Sequence, residues 1–282
     1  MKYGTLFITL VLLMLSGCIK EDRPVNEPVL VVEGWIDAGG YPVVMLTTSV
    51  PILEGYQSID DLSDYVIRWA RVTISDGEQE VILTGKVDER YTPPYIYTTG
   101  KLKGESGKTY RLTVSYNDFY AEAETYIPEV VKVDSFSMLL VEGTDKYELM
   151  ANLNDIEFGK GYYKFFVRLH GMDDIFFPSV LGTVNGKMLT GENEVSVFQS
   201  YKLEMDEYTP YFALNDEVSV KFAQIDAVAY EFWKMNEDLQ IFNPMYSNLS
   251  TNIRGGIGYW CGYGASVYHL KFTENGIKML TP

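Results

Sequence analysis

The sequence is short of cysteine, histidine and basic residues, and each shortage excludes a class of protein. Among 282 residues there are 2 Cys and 2 His, which excludes a disulfide framework and leaves few metal sites or catalytic triads. Lys and Arg number 23 against 39 Asp and Glu, so the net charge is −16. Because nucleic-acid binding needs a basic surplus to neutralise phosphates, we expect no nucleic-acid partner.

Apolar and aromatic residues, by contrast, are plentiful. Hydrophobic residues make up 46% of the chain and aromatic residues 14%, including 22 Tyr. This composition is unlike that of a disordered acidic chain, because it supplies enough apolar surface to form a core. The length allows one large domain or two of ordinary size.

The N-terminus carries an apolar run, Leu6–Leu15, that follows Lys2. The run is shorter than the roughly 20 apolar residues that a membrane-spanning helix needs. A weakly positive start before a short apolar run is typical of a signal peptide, which we assign to residues 1–17.

The end of this segment resembles the lipobox of bacterial lipoproteins, with the residues Leu15, Ser16, Gly17 and Cys18. The resemblance implies cleavage before Cys18, attachment of diacylglycerol to its thiol and, with palmitate as a further acyl chain, stable membrane anchoring. Two alternatives remain open: an ordinary secretory signal followed by a chance Cys, or an uncleaved anchor.

The acidic stretch after this cysteine consists of Lys20, Glu21 and Asp22. It resembles the surface-export signal of Bacteroidota lipoproteins, which implies an outer-membrane protein that faces the cell exterior. The alternative is that these three residues are only a charged, solvated part of the tether. In either case we assign residues 18–27 to a lipidated tether.

Closely spaced strand signals begin after the tether. Arg71–Ser75 alternates apolar and polar residues, and the pair Asp76-Gly77 is a typical hairpin turn before the next such run. Several short strands over about a hundred residues predict an immunoglobulin-like β-sandwich across residues 28–130.

The remaining residues, 131–282, are also rich in strand signals and predict a second β-rich domain, sandwich-like or barrel-like. One packed helix is predicted near 226–242, with Asp226 as its N-cap. Apolar residues recur there at helical spacing, which predicts a packing face rather than a cofactor site. These residues are Val228, Phe232, Met235, Leu239 and Phe242.

Few residues have the spacing of a catalytic or metal site. His170 and His269 lie far apart in strand-like sequence. They either meet in space and recruit a carboxylate for zinc or are two partly exposed strand residues.

Two other candidates have a simpler explanation. Cys261, among aromatic residues, is predicted to be a buried structural thiol. The pair Asp173-Asp174 is first a solvated loop and, as an alternative, part of a carbohydrate or calcium site. We therefore predict no catalytic, cofactor-binding or metal-binding residue.

A glycine cluster near the C-terminus contains Gly255, Gly256 and Gly258. Its spacing fails the dinucleotide-binding fingerprint, because the third glycine of that pattern falls on Cys261 and no helix follows. Glycines between aromatic residues predict instead a bent strand at which backbones approach closely.

Several segments together resemble one family of Bacteroidota outer-membrane lipoproteins, known as domain of unknown function 4249. They are the lipobox, Leu30–Ile36, Gly107–Val114, Val133–Ser135 and the segment Asn252–Gly258. The resemblance covers nearly the whole mature chain. It implies a lipoprotein encoded beside a TonB-dependent receptor, which would be its partner in capturing or gating a ligand.

From this we expect a non-enzymatic accessory of a TonB-dependent receptor, with a glycan or peptide as its ligand. Two alternatives remain: an extracellular hydrolase of glycans or peptides, and a structural or adhesive surface protein. No cofactor is expected.

Overall fold

The computed structural model describes residues 28–49, 63–153, 161–189, 193–201, 208–242 and 251–281. The first half contains strands β1 (Leu30–Asp37), β2 (Val43–Thr48), β3 (Arg71–Ser75), β4 (Glu80–Ile82), β5 (Thr84–Val87), β6 (Tyr95–Thr98), β7 (Thr109–Tyr116) and β8 (Phe119–Tyr126). The second half contains β9 (Ser135–Leu140), β10 (Tyr147–Asn152), β11 (Tyr162–Leu169), β12 (Phe177–Asn185), β13 (Glu194–Val197), β14 (Glu217–Ile225), helix α1 (Ala227–Phe242), β15 (Ile257–Thr273) and β16 (Gly276–Leu280). A 3₁₀ turn spans Gly186–Met188.

The described strands form three sheets. The largest has nine strands in the order β12-β11-β14-β15-β1-β2-β6-β5, with β16 also paired to β15. A four-stranded sheet, β4-β3-β7-β8, and a three-stranded sheet, β13-β10-β9, complete the fold. The predicted Asp76-Gly77 hairpin is present, because β3 and β4 pair in antiparallel register around it.

Each smaller sheet packs on one half of the nine-stranded sheet and encloses a separate core. The first core joins β1 and β2 to the four-stranded sheet and includes Val32, Leu112 and Trp260. The second joins β11, β14 and β15 to the three-stranded sheet and includes Phe165 and Phe222. The prediction of a mainly β, sandwich-like fold with one helix is confirmed, and the described strands form no closed barrel.

Strand β15 belongs to both halves of the large sheet. Its first part, Ile257–Tyr263, pairs in parallel with β1, and its second part, Gly264–Lys271, pairs antiparallel with β14. Residues 257–263 therefore complete the first sandwich although they lie far beyond residue 130 in the sequence. The division of the chain at residue 130 stays a prediction.

The glycine cluster lies where β15 begins, against β1 and β8. Gly255 and Gly258 have positive φ angles of 84° and 109°. A Cβ atom on either residue would collide with a carbonyl oxygen, that of Tyr120 or of Val32 respectively. Glycine is required at both positions because the neighbouring backbones leave no room for a side chain.

Helix α1 begins as its sequence predicts, because Oδ1 of Asp226 accepts a hydrogen bond from the Ala229 amide at 2.7 Å. The predicted packing face is partly wrong, since Val228 is 48% exposed. The buried face is rotated to Ala229, Phe232 and Trp233, which pack on the nine-stranded sheet. Glu237 lies on this rotated face and forms an ion pair with Lys164 of the sheet.

The predicted signal peptide, the lipobox at Leu15–Cys18 and the export signal Lys20–Asp22 lie outside the described residues. Leu239 and Phe242 lie in the part of α1 whose side chains are also not described. Within the described ranges, α1 does not have the length and apolar character that crossing a bilayer requires.

Candidate ligand-binding cavity

A cavity of about 640 Å³ lies on the face of the nine-stranded sheet that is opposite the two smaller sheets. Strands β1, β2, β11, β14 and β15 contribute to it, and α1 forms one wall. Two loops close its rim, one at Arg90–Thr92 and the other at Asp174–Phe176. The cavity therefore draws on residues from both halves of the chain.

The alternation of β1 decides which side chains reach this cavity. Leu30, Val32 and Ile36 point into the first core, so the residues between them face the other side of the sheet. That second face carries Val31, Glu33, Trp35 and Asp37, and all four line the cavity. The same alternation on β15 places Tyr259 and Tyr263 beside them.

Aromatic rings form a large part of the cavity wall, with ten aromatic side chains among its 26 lining residues. The Tyr259 ring packs on Phe232 and Trp233 of α1, with centroid distances of 4.6 and 5.3 Å. Phe166 lies edge-on to Trp233 and Tyr263, at 5.6 and 5.2 Å. Because these rings hold one another in place, the cavity has a preformed apolar surface.

Lys221 is a lysine of β14 that lies almost completely buried at the cavity. Its Nζ atom donates a hydrogen bond to Oδ1 of Asp37 at 2.5 Å and stands 4.5 Å from the centroid of the Tyr263 ring. The Lys221 side chain is 6% exposed, so the carboxylate and the ring together replace the water that the ammonium has lost.

Two arginines also line the cavity, and each is held by neighbouring groups. Arg90 donates two hydrogen bonds to Asp88, at 2.8 and 2.7 Å, and these bonds hold the pKa of the Asp88 carboxyl well below its usual range. Arg168 donates to Oγ of Ser219 at 3.2 Å and lies over the Phe176 ring at 5.3 Å.

Glu33 differs from the charged lining residues Asp37, Arg90, Arg168 and Lys221, because no hydrogen bond or ion pair joins it to another described residue. Its neighbours across the sheet are Met45 on β2 and Tyr259 on β15. The side chain is exposed to the cavity, yet protein atoms surround it closely enough that burial raises the pKa of its carboxyl.

Helix α1 is held over the sheet by a buried ion pair. Nζ of Lys164 on β11 lies 2.6 Å from Oε1 of Glu237, and the two side chains are 1% and 5% exposed. Thr183 donates its amide and its hydroxyl to the same Oε1, and Lys164 also donates to the Ser179 carbonyl. Burial lowers the pKa of Lys164, and the charge of Glu237 opposes that effect. The pair fixes which face of α1 meets the sheet.

The two histidines meet in space beside the cavity. The hydroxyl of Ser219 lies 2.6 Å from Nε2 of His170 and 2.8 Å from Nδ1 of His269. Burial and the nearby Arg168 lower the pKa of His170. In the described part of the chain no three His, Cys, Asp or Glu side chains come together as a metal site would require. The two histidines therefore lie close together, but no carboxylate among the described residues joins them to complete a zinc site.

Two other candidate residues have structural surroundings. Cys261 is a free, buried cysteine, and burial raises the pKa of its thiol, as expected for a structural residue. Asp173 accepts a hydrogen bond from the Leu169 amide at 2.8 Å, whereas Asp174 lies exposed on the cavity rim beside Phe176.

Glu33, Trp35 and Lys221 are the cavity residues that sequence reasoning missed. For Glu33 and Trp35 the signal was present in β1, where a glutamate, a tryptophan and an aspartate stand at alternate positions. Period two places them on one face, but the sequence does not say that a helix from the far end of the chain covers that face.

The fold and this cavity define a two-sandwich β protein with an aromatic pocket on its shared sheet. The chain belongs to the family described as domain of unknown function (DUF4249), whose model matches residues 19–268. A search of curated proteins finds no match to the chain.

Proposed function

We propose that this protein is a lipid-anchored accessory protein of the outer membrane that faces the cell exterior and captures a ligand for a TonB-dependent receptor without catalysis. The observation that carries the ligand-binding part is the aromatic cavity between α1 and the nine-stranded sheet. The anchoring part rests on the sequence, through Cys18 and the stretch Lys20–Asp22.

The size and lining of the cavity suit a small ligand or one end of a larger one. Its volume of about 640 Å³ lies within the range of roughly 300–1,000 Å³ that is typical of small-molecule sites. Rings that line the cavity, such as that of Trp35, can stack on a sugar or on an apolar peptide side chain. A glycan or peptide fragment is therefore the class of ligand that we propose.

The geometry of the two cavity acids on β1 does not favour the hydrolase alternative. Glu33 and Asp37 are four residues apart on β1, which separates their Cα atoms by about 13 Å. Glycosidase carboxylates stand roughly 5–9.5 Å apart. Asp37 is also already paired with Lys221. This pair therefore lacks the arrangement of two cooperating catalytic acids.

Affinity purification from detergent-solubilised outer membrane tests the partner. We expect the wild-type protein to bring down a TonB-dependent receptor. The Cys18→Ala variant should lose palmitate labelling and no longer fractionate with the outer membrane. Recovery of the lipoprotein alone under mild conditions would contradict the receptor partnership, and equal labelling of both proteins would contradict the anchor.

Complementation of a gene deletion tests the cavity. Val43→Trp places a large ring in the cavity, and we expect it to fail to restore growth on the glycan or peptide mixture that the deletion strain uses poorly. The matched control, Val228→Trp, adds the same ring on the exposed side of α1 and should restore growth. Full complementation by a stably folded Val43→Trp protein would show that the cavity is not used.

A further inference from the structure

We propose that Glu33 recognises a positively charged group, so that the cavity takes a ligand with a primary ammonium group on an apolar or aromatic body. The inference rests on the proposed ligand-binding function and adds the charge of the ligand to it. The evidence for it is the set of groups that surround the Glu33 carboxylate.

The surroundings of Glu33 supply no counter-charge. Its neighbours on the same face are Met45 and Tyr259 across the sheet and Val31 and Trp35 along β1, and none of them carries a positive charge at neutral pH. The side chain reaches the open cavity, where water hydrates its carboxylate, and a ligand that displaces this water must supply a cation or several donors in its place. Burial raises the pKa of Glu33, as this environment requires.

The cations that line the cavity are engaged elsewhere. Lys221 is bonded to Asp37, and Arg90 is bonded to Asp88. Arg168 donates to Ser219 and lies over Phe176. Among the described residues no basic side chain is therefore positioned to neutralise Glu33. A cation from outside the protein would complete the site.

Aromatic rings stand where such a cation would bind. Tyr259, directly across from Glu33, packs against Phe232, and Trp35 follows Glu33 on the same face of β1. The electron-rich faces of tyrosine and tryptophan attract ammonium groups, and the attraction grows when water is excluded. The protein already uses this chemistry at Lys221, whose ammonium lies over Tyr263 and next to a carboxylate.

A neutral donor would fit this site less well than a cation. A hydroxyl or amide can donate one hydrogen bond to Glu33, but it leaves the negative charge uncompensated. An ammonium group supplies three donors and the missing charge. For this reason we assign a primary amine rather than an uncharged sugar hydroxyl to the position beside Glu33.

The test compares 2-phenylethylamine with its neutral analogue 2-phenylethanol, using the full chain purified in detergent. Trp35 and Trp233 line the cavity, so tryptophan fluorescence reports binding. We expect the amine to bind about tenfold more tightly than the alcohol. Glu33→Gln should remove this preference, because the amide keeps the shape of the side chain but not its charge.

Glu124→Gln is the matched control, since it makes the same chemical change at an exposed ion pair with Arg111 on the four-stranded sheet. It should keep the preference for the amine. Equal binding of the two probes to the wild type, or an unchanged preference in Glu33→Gln, would overturn this inference and leave the cavity function standing. Failure of the wild type to bind either probe would also overturn this inference, and the Val43→Trp complementation would still decide the cavity function.

Discussion

Single residues set the tightest constraints on this fold, and Gly258 is the clearest example. Its φ angle of 109° and its close approach to the Val32 carbonyl both exclude a side chain. The sequence predicted close backbone contact from glycines among aromatic residues, but it did not identify β1 as the neighbour. That knowledge requires the tertiary structure, because β1 and β15 lie near opposite ends of the chain.

Replacement of Gly258 by alanine should destabilise the protein by about 3 kcal/mol or more, since positive φ and a steric collision act together. Gly77→Ala is the control, because Gly77 has a φ of 89° with open space around it. The control should cost only about 1–2 kcal/mol. Urea unfolding of the two variants measures the difference; equal losses would contradict the steric explanation.

Glu33 should lower the stability of the ligand-free protein at neutral pH. Its pKa is raised in the folded state, so the cost is absent below the ordinary value of 4.5, where the carboxyl is protonated whether folded or not. The cost develops as the pH rises and is complete above the raised folded-state pKa.

Glu33→Gln should therefore raise the melting temperature near pH 7, by at most about 2 °C because the side chain is exposed and water screens its charge, and by less at a pH of about 4. Thermal unfolding of both proteins at the two pH values measures this, and all other titrating groups cancel in the comparison. A variant that is less stable than the wild type at both pH values would show that Glu33 has an unrecognised partner.

At the scale of the element, α1 shows how far periodicity predicts a packing face. Spacing and the Asp226 cap predicted the existence of the helix and where it begins. The buried face keeps Phe232 of the predicted stripe but turns away from Val228 toward Trp233 and Glu237, and Glu237 is paired with Lys164. From the sequence alone, a charged residue such as Glu237 is expected on the solvent side of the helix, even when it anchors the helix to a sheet.

Breaking the pair on one side should be more harmful than removing both charges. Lys164→Met leaves Glu237 buried without its cation, and we expect a loss of about 3–5 kcal/mol in the free energy of unfolding. The double variant Lys164→Met/Glu237→Gln keeps an acceptor for Thr183 and should recover most of that loss.

Arg111→Ala provides the control for this ion pair. Arg111 and Glu124 are 57% and 52% exposed, so water screens their charges and the change should cost far less than Lys164→Met. Urea unfolding followed by tryptophan fluorescence applies to all these variants. If the single and double variants of the buried pair were equally unstable, the charge of Glu237 would not be the cause.

At the scale of the whole molecule, β15 joins the two sandwiches. Trp260 on its first half is fully buried in the first core and donates its indole N–H to the Tyr110 carbonyl at 3.0 Å. Local alternation predicts strands and hairpins, and it did so here. It does not predict a parallel pairing between distant segments, which depends on the closure of the whole chain.

A fragment of residues 28–130 should consequently fail to fold alone, because it lacks the β15 partner of β1 and the Trp260 side chain. Addition of a peptide of residues 251–265 should restore cooperative thermal unfolding, as measured by circular dichroism. A scrambled peptide of the same composition is the control. Cooperative unfolding of the fragment alone would instead support an independent domain at the predicted boundary.

The position of β1 within the large sheet also has a mechanical consequence. β1 is the first strand after the proposed tether, and it is bonded on one side to β15 and on the other to β2. A pull on the tether along β1 would load both ladders of hydrogen bonds in shear, all at once, rather than open them one by one. An anchored protein built in this way would resist extraction forces that a strand at the sheet edge would not withstand.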